Sequence, residues 1–196
     1  TRRLETQVSE ADLARLLALS GNEDILDLGS GTGFYTDRIA TLTTGTVYAM
    51  ELQPEMIDHY RERGVPANVR LLRGDITALP PAVAGAGLSP APSSAAEPAA
   101  SGPAALPPAS IDVACTIATW HEIDGRLDVP GVAKLLRPRG RLIVIDWRND
   151  PESWESGPPK DIRFSKEQVA GALTSQFPRT HAENLGRFMF AVTARR

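Results

Sequence analysis

Three glycines spaced two apart carry the most telling chemistry of the chain. The run Ile25-Leu26-Asp27-Leu28-Gly29-Ser30-Gly31-Thr32-Gly33 begins as an apolar strand and ends in a glycine turn, and Phe34 to Leu42 then reads as a helix. Without Cβ atoms in the way, backbone amides can approach a ligand closely, and the helix N-terminus favours negative charge. A second apolar run, Val47-Tyr48-Ala49-Met50, ends in Glu51. In nucleotide-binding βαβ units an acid at this place accepts hydrogen bonds from ribose hydroxyls. The spacing here is G-x-G-x-G, with Phe34 where the dinucleotide fingerprint has its last glycine, which argues against NAD or FAD. A ligand with ribose and adenine but no pyrophosphate needs less of an anion cradle, and its amino-acid end fits at such a turn.

The elements that must position these residues alternate. Ser9 to Leu19 patterns as an amphipathic helix with a Ser9/Asp12 cap, Leu13, Leu16 and Leu17 as its apolar stripe and Gly21 as its stop. Strands follow at Ile25 to Leu28, Val47 to Glu51, Val69 to Leu72, Ile111 to Ala118 and Leu142 to Asp146, the last after a Pro138-Arg139-Gly140 turn. Helices are expected from Pro54 to Arg63, Val129 to Leu136 and Lys166 to Gln176, the last capped by Ser165 and Gln168. Arg187 to Thr193 has strand character, and a weaker strand lies near Thr180 to Leu185. Alternation of this kind implies a mostly parallel sheet covered on both faces. The stretch from Pro80 to Ser110 is almost all Pro, Ala, Gly and Ser, too poor in large apolar side chains to pack, and reads as a flexible insertion.

The 196 residues suffice for one domain with a full core, so the chain is expected to be a single domain over 1–196 with that insertion at 80–110. A net charge of −3 without blocks of like charge disfavours nucleic acid and membrane surfaces as partners. One cysteine, Cys115, excludes a disulfide framework, and its apolar setting marks it as a small buried hydrophobe rather than a metal ligand. No run approaches the ~20 apolar residues of a membrane helix, and no signal peptide is seen, so the cytoplasm is the expected compartment. The chain starts at Thr1 rather than methionine, which leaves room for residues ahead of it.

With these residues in place the chain resembles the class I S-adenosylmethionine-dependent methyltransferases, in particular small bacterial members acting on small molecules. Ile25 to Gly33 is similar to the family's first motif, Tyr48 to Met56 to its acidic second, and Arg73-Gly74-Asp75-Ile76 with Leu79-Pro80 to its third. Ile111-Asp112-Val113 through Trp120-His121-Glu122 resembles the fourth strand and its exit, and Leu135 to Leu142 the step that follows. The resemblance implies a Rossmann-like, doubly wound α/β sheet of seven strands in the order 3-2-1-4-5-7-6, the seventh antiparallel. It implies S-adenosyl-L-methionine as cofactor, held by Asp27, Gly29, Ser30, Gly31, Gly33, Glu51, Leu52, Asp75, Ile76 and Thr116. Glu51 would hold the ribose, Asp75 the adenine amino group and the Ile76 amide a ring nitrogen. The family has a short connection where this chain has its proline-rich stretch.

The implied reaction is methyl transfer to a small-molecule acceptor, by oxygen, nitrogen or carbon. His121 is then the candidate base, because imidazole titrates near neutrality; the alternative is a structural histidine at a strand exit. Asp27 either orients the glycine turn or reaches the methionine amine through water. Trp120 and Tyr35 are candidate pocket walls, Asp146 and Trp147 share the rim, and Trp154, Arg163 and Phe164 with Gly157-Pro158-Pro159 are candidates to cover a substrate. Arg163 reads equally as an anion clamp or a surface ion pair. Two other functions compete: a non-catalytic cofactor- or partner-binding protein of the same fold, and an NAD-dependent dehydrogenase, which the missing fingerprint glycine disfavours.

Overall fold

In the computed structural model, which describes residues 8–81 and 106–196, strands β1 (Ile25–Leu28), β2 (Val47–Glu51), β3 (Val69–Arg73), β4 (Ile111–Ile117) and β5 (Leu136–Trp147) lie parallel. Strands β6 (Arg179–Leu185) and β7 (Met189–Arg195) complete one seven-stranded sheet in the order β3-β2-β1-β4-β5-β7-β6. Strand β7 pairs antiparallel with both β5 and β6, so the sheet has the order and the reversed last strand that the resemblance implied.

Helices cover both faces. On one face α1 (Glu10–Leu17), α2 (Phe34–Ala40) and α3 (Pro54–Arg63) place Leu13, Leu16, Leu17, Ile39 and Tyr60 against Ile25, Val47, Val113 and Ile143. On the other, α4 (Val129–Leu135) and α5 (Lys166–Leu173) bury Val132, Val169 and Leu173 against Leu26, Ala114, Val144 and Phe190. Alternate residues of each central strand therefore enter two cores, which is why these strands read as continuous apolar runs rather than as clean alternation. No helix among the described residues is long and apolar enough to cross a membrane.

Several boundaries move from their sequence-based places. Helix α1 stops two residues early, at Leu17, where Ala18 turns left-handed at φ 44°. Helix α5 ends at Leu173, and the Thr174 hydroxyl donates back to the Gly171 carbonyl at 2.6 Å, competing with helix continuation. Strand β5 is much longer than Leu142 to Asp146. Leu136 already pairs with Ile111, while Arg141 pairs with Val113, so Pro138-Arg139-Gly140 is extruded as a bulge within the strand rather than a turn before it.

The proline-rich stretch is shorter at its far end than composition suggested. Leu106 and Ser110 are buried, and the Ser110 amide donates to the Leu135 carbonyl at 2.9 Å, so these residues belong to the packed sheet layer. The flexible-insertion expectation for 82–105 lies outside the described residues. On the near side, one residue ties the exit of β3 to the start of α4. The Asp128 amide donates to the Ile76 carbonyl at 2.9 Å, and its carboxylate accepts from the amides of Leu79 at 3.1 Å and Gly131 at 2.9 Å.

Candidate active site at the strand carboxyl ends

The glycine turn after β1 is held by backbone bonds to its neighbour strand. The amides of Gly29 and Ser30 donate to the Met50 carbonyl at 2.9 and 3.0 Å, and Gly33 donates to Ser30 at 2.9 Å. Two of the glycines are required by what lies against them. A Cβ at Gly33, which sits at φ +84°, would fall 2.1 Å from the Tyr60 ring, and a Cβ at Gly29 would fall 2.5 Å from the Thr119 side chain. Tyr60 is locked there, its hydroxyl donating to Asp37 at 2.6 Å. Gly31 is different: a Cβ there meets no atom within 4 Å, so the space above this amide is open.

Glu51 closes the turn from the tip of β2. Its Oε2 accepts from the Gly31 amide at 2.9 Å, and its Oε1 accepts from Leu52 at 2.8 Å and Gln53 at 2.9 Å, the amides that lead into α3. One carboxylate thus fixes the glycine turn and the start of the next helix relative to each other. Leu52 beside it is an exposed apolar side chain. At the exit of β3, Asp75 Oδ1 accepts from the Thr77 amide at 2.8 Å and hydroxyl at 2.7 Å, bonds that hold its carboxyl below the usual carboxylate range. The Ile76 amide has no protein acceptor among the described residues.

Not every expected residue reaches this rim. Asp27 lies beneath it, 2% exposed, with Oδ2 accepting the Thr36 hydroxyl at 2.6 Å. Burial pushes its carboxyl up to about 6, against the pull of the Thr36 bond. That geometry places its side chain on the first turn of α2. Thr116 is fully buried inside β4, and its hydroxyl has no partner among the described residues. Cys115 is buried in the core, as its setting suggested, with its thiol 3.9 Å from Asp27.

The exit of β4 turns sharply. Ala118 adopts φ 56°, its amide bonded to the Ile145 carbonyl at 2.8 Å; for alanine this left-handed step costs ~1–2 kcal/mol and is stabilised by its surroundings. The turn brings His121 onto the end of β5. The His121 amide donates to Asp146 Oδ2 at 3.0 Å, and its ring Nδ1 lies 2.7 Å from Asp146 Oδ1. Asp146 also accepts the Trp147 amide at 2.6 Å and is 2% exposed. Nε2 of His121 has no hydrogen-bond partner among the described residues, and the His121 side chain is 8% exposed. The neighbouring Glu122 carboxyl is raised by loss of water around it and by Asp146 and Glu51, against the pull of His121. The aspartate on the histidine was not readable beforehand, since 25 residues separate the two and only the β4–β5 register joins them.

Arg163 is neither an anion clamp nor a surface ion pair. It is buried, and its guanidinium donates to the carbonyls of Arg148 at 3.0 Å, Ser153 at 3.1 Å, Ser156 at 2.5 Å and Pro158 at 2.9 Å. The whole 148–158 loop is wrapped around one cation. Gly157 lets the loop press on the Trp147 ring, which a Cβ there would meet at 2.4 Å. Trp120 is fully buried and so belongs to the core, whereas Trp154 stays exposed with Lys160 over its ring at 4.4 Å. Tyr35 donates no pocket wall at the rim; its hydroxyl accepts the Val8 amide at 3.3 Å on the α1 side.

Known proteins similar to this chain share its fold. Residues 25–87 match the methyltransferase domain family. An uncharacterised methyltransferase of Mycobacterium tuberculosis is 32% identical over 131 residues, which is 66% of this chain and 42% of the relative. A protein-L-isoaspartate O-methyltransferase of an Anaeromyxobacter species is 42% identical over 69 residues, 33% of this chain and 28% of that protein. The chain therefore spans less than half the length of these curated relatives. Among solved structures, a SAM-dependent methyltransferase from Aquifex aeolicus superposes with a TM-score of 0.76 at 23% identity, over 98% of this chain and 91% of the other. A phosphoethanolamine N-methyltransferase of Haemonchus contortus, solved with S-adenosylhomocysteine, superposes at 0.61 and 18% identity, over 89% of this chain and 38% of the other.

Proposed function

The chain belongs to the class I S-adenosylmethionine-dependent methyltransferases, and from that premise we propose that it methylates a small-molecule acceptor with His121 as general base. The observation that carries the proposal is the His121–Asp146 pair at the rim, with Nδ1 2.7 Å from the carboxylate and Nε2 without a partner among the described residues. A carboxylate on Nδ1 keeps the proton there and turns the Nε2 lone pair outward, the arrangement a proton acceptor needs.

The residues at the rim fit the cofactor. The open space over Gly31, the unpaired Ile76 amide and the exposed apolar Leu52 are the complement of a nucleoside with an amino-acid tail. Glu51 would hold the ribose, and Asp75 with Ile76 the adenine edge, while the glycine turn takes the amino-acid end. S-adenosylmethionine, when bound, supplies an activated methyl group on a sulfonium. The protein's own part is to align the acceptor, exclude water and remove a proton from an acceptor that starts protonated. The acceptor is accordingly a hydroxyl or amine, or an acidic carbon, on a metabolite; the acidic balance of the chain argues against nucleic acid.

Calorimetry with S-adenosylhomocysteine and transfer of labelled methyl into a metabolite extract test this. His121→Ala is expected to lower transfer by about 10²–10⁴-fold while leaving S-adenosylhomocysteine affinity unchanged. Absence of saturable binding removes the cofactor assignment, and wild-type transfer by His121→Ala removes the base.

A further inference from the structure

The opposite end of the sheet carries a charge arrangement that methyl transfer does not use. The register places Arg195 of β7 directly opposite Arg141 of β5 on one side and Arg179 of β6 on the other. Directly opposed residues project from the same face of a sheet, and like charges set that way are destabilising. Arg141 is turned aside, donating to the carbonyls of Leu17 and Ala18 at the end of α1. Arg179 donates to the main-chain oxygen of Arg196, the last residue of the sequence, and pairs with no Asp or Glu among the described residues. Arg195, and Arg139 on the extruded bulge, have no ion-pair partner among the described residues.

Arg139, Arg179 and Arg195 border an open concavity of about 670 Å³, which α1 flanks with Arg15; Arg196 also lines it, but its guanidinium donates to the Ala133 carbonyl of α4. Glu183 is the sole acidic side chain on its lining, and Arg15 engages it at 2.9 Å and Asp12 at 3.3 Å. Four arginine side chains, Arg15, Arg139, Arg179 and Arg195, thus border one cavity in a chain whose net charge is −3. We propose that this cavity binds a ligand bearing an oligophosphate group. Guanidinium forks match phosphate oxygens bidentately, and several of them around one concavity suit several linked phosphates. The volume lies within the usual range for small-ligand sites. A bound polyanion also relieves the repulsion between Arg179 and Arg195, so the free protein stores part of the binding energy. The cavity is at the amino-terminal end of β5, whereas Glu51, Asp75 and His121 stand at the carboxyl ends of their strands, so the two sites do not overlap.

The test is calorimetry of the whole chain at low salt with tripolyphosphate, with ATP and with S-adenosylhomocysteine, alongside melting curves. Saturable binding of tripolyphosphate or ATP, weakened by added salt, is expected. Tighter ATP binding identifies a nucleotide as the source of the phosphates, and equal binding identifies the phosphate chain itself. The Arg139→Gln/Arg195→Gln double variant should lose at least about tenfold in oligophosphate affinity and none in S-adenosylhomocysteine affinity. Arg195→Gln alone gives a second readout, since removing one opposed cation should raise the Tm of the free protein and abolish further stabilisation by tripolyphosphate. No saturable binding at millimolar ligand overturns the proposal, as does wild-type affinity in the double variant. A lowered Tm for Arg195→Gln, or tighter binding of single-stranded nucleic acid than of ATP, overturns it as well.

Discussion

Replacing Glu51 by Gln separates two roles that the carboxylate combines. In the wild type it is 8% exposed and accepts three backbone amides, one from Gly31 and two from the start of α3. Glutamine can keep the two bonds at Leu52 and Gln53 through its carbonyl oxygen. Its amide nitrogen then stands where Oε2 was, 2.9 Å from the Gly31 nitrogen, donor against donor. An unsatisfied buried pair of this kind costs ~1–3 kcal/mol. For a domain of this size that lowers Tm by about 2–12 °C. Loss of the charged acceptor for the ribose removes a further ~1–3 kcal/mol of binding, which raises the S-adenosylhomocysteine Kd by about 5- to 150-fold. Titration calorimetry at a temperature where both proteins are folded gives the Kd, and a melting curve gives the stability. An unchanged Kd in a protein whose Tm has dropped would refute the ribose assignment and leave Glu51 as a brace of the turn alone.

Other substitutions probe the frame beneath the rim. Asp27 has its carboxyl pushed up to about 6, so the folded chain holds a proton that the unfolded chain releases near 4, and stability should fall by ~2–3 kcal/mol as pH rises through that window. Asp27→Asn keeps an acceptor for Thr36 and should flatten this part of the curve; denaturant titrations between about pH 4 and 7 that run parallel for the two proteins contradict the assignment. Gly33→Ala drives a methyl into the Tyr60 ring at φ +84° and should destabilise by more than ~3 kcal/mol, a loss visible as a much lower denaturation midpoint. Arg163→Ala frees the carbonyls of the 148–158 loop, and limited proteolysis should then cut within that loop well before the rest of the chain; uniform resistance there would show the loop held by other contacts.

Local chemistry made the rim legible and left long-range pairing hidden. The glycine turn, the acid at the end of β2 and the Gly74-Asp75 step sit in short contiguous motifs, so their place at strand ends followed from spacing. The sheet order came through resemblance, because nothing local fixes which parallel strands become neighbours. Arg163 shows the limit most clearly. A lone arginine in a polar loop suggests a charge partner, yet its partners are carbonyls spread from Arg148 to Pro158. Pro138-Arg139-Gly140 likewise carries turn chemistry, and only the pairing of Leu136 with Ile111 reveals the step as a bulge. Leu106 looks like linker by its surroundings, and its burial depends on a core assembled from distant strands.

Asp128 has a consequence for how this domain tolerates change. By clasping both Ile76 and Leu79 it anchors the polypeptide just ahead of residue 82, and the Ser110 amide anchors it again beyond residue 105. Both moorings bond to residues outside 82–105, within the packed layers of the sheet. A fluorescent tag or a second binding module grafted between residues 82 and 105 is therefore expected to leave both moorings and the strand-end rim in place.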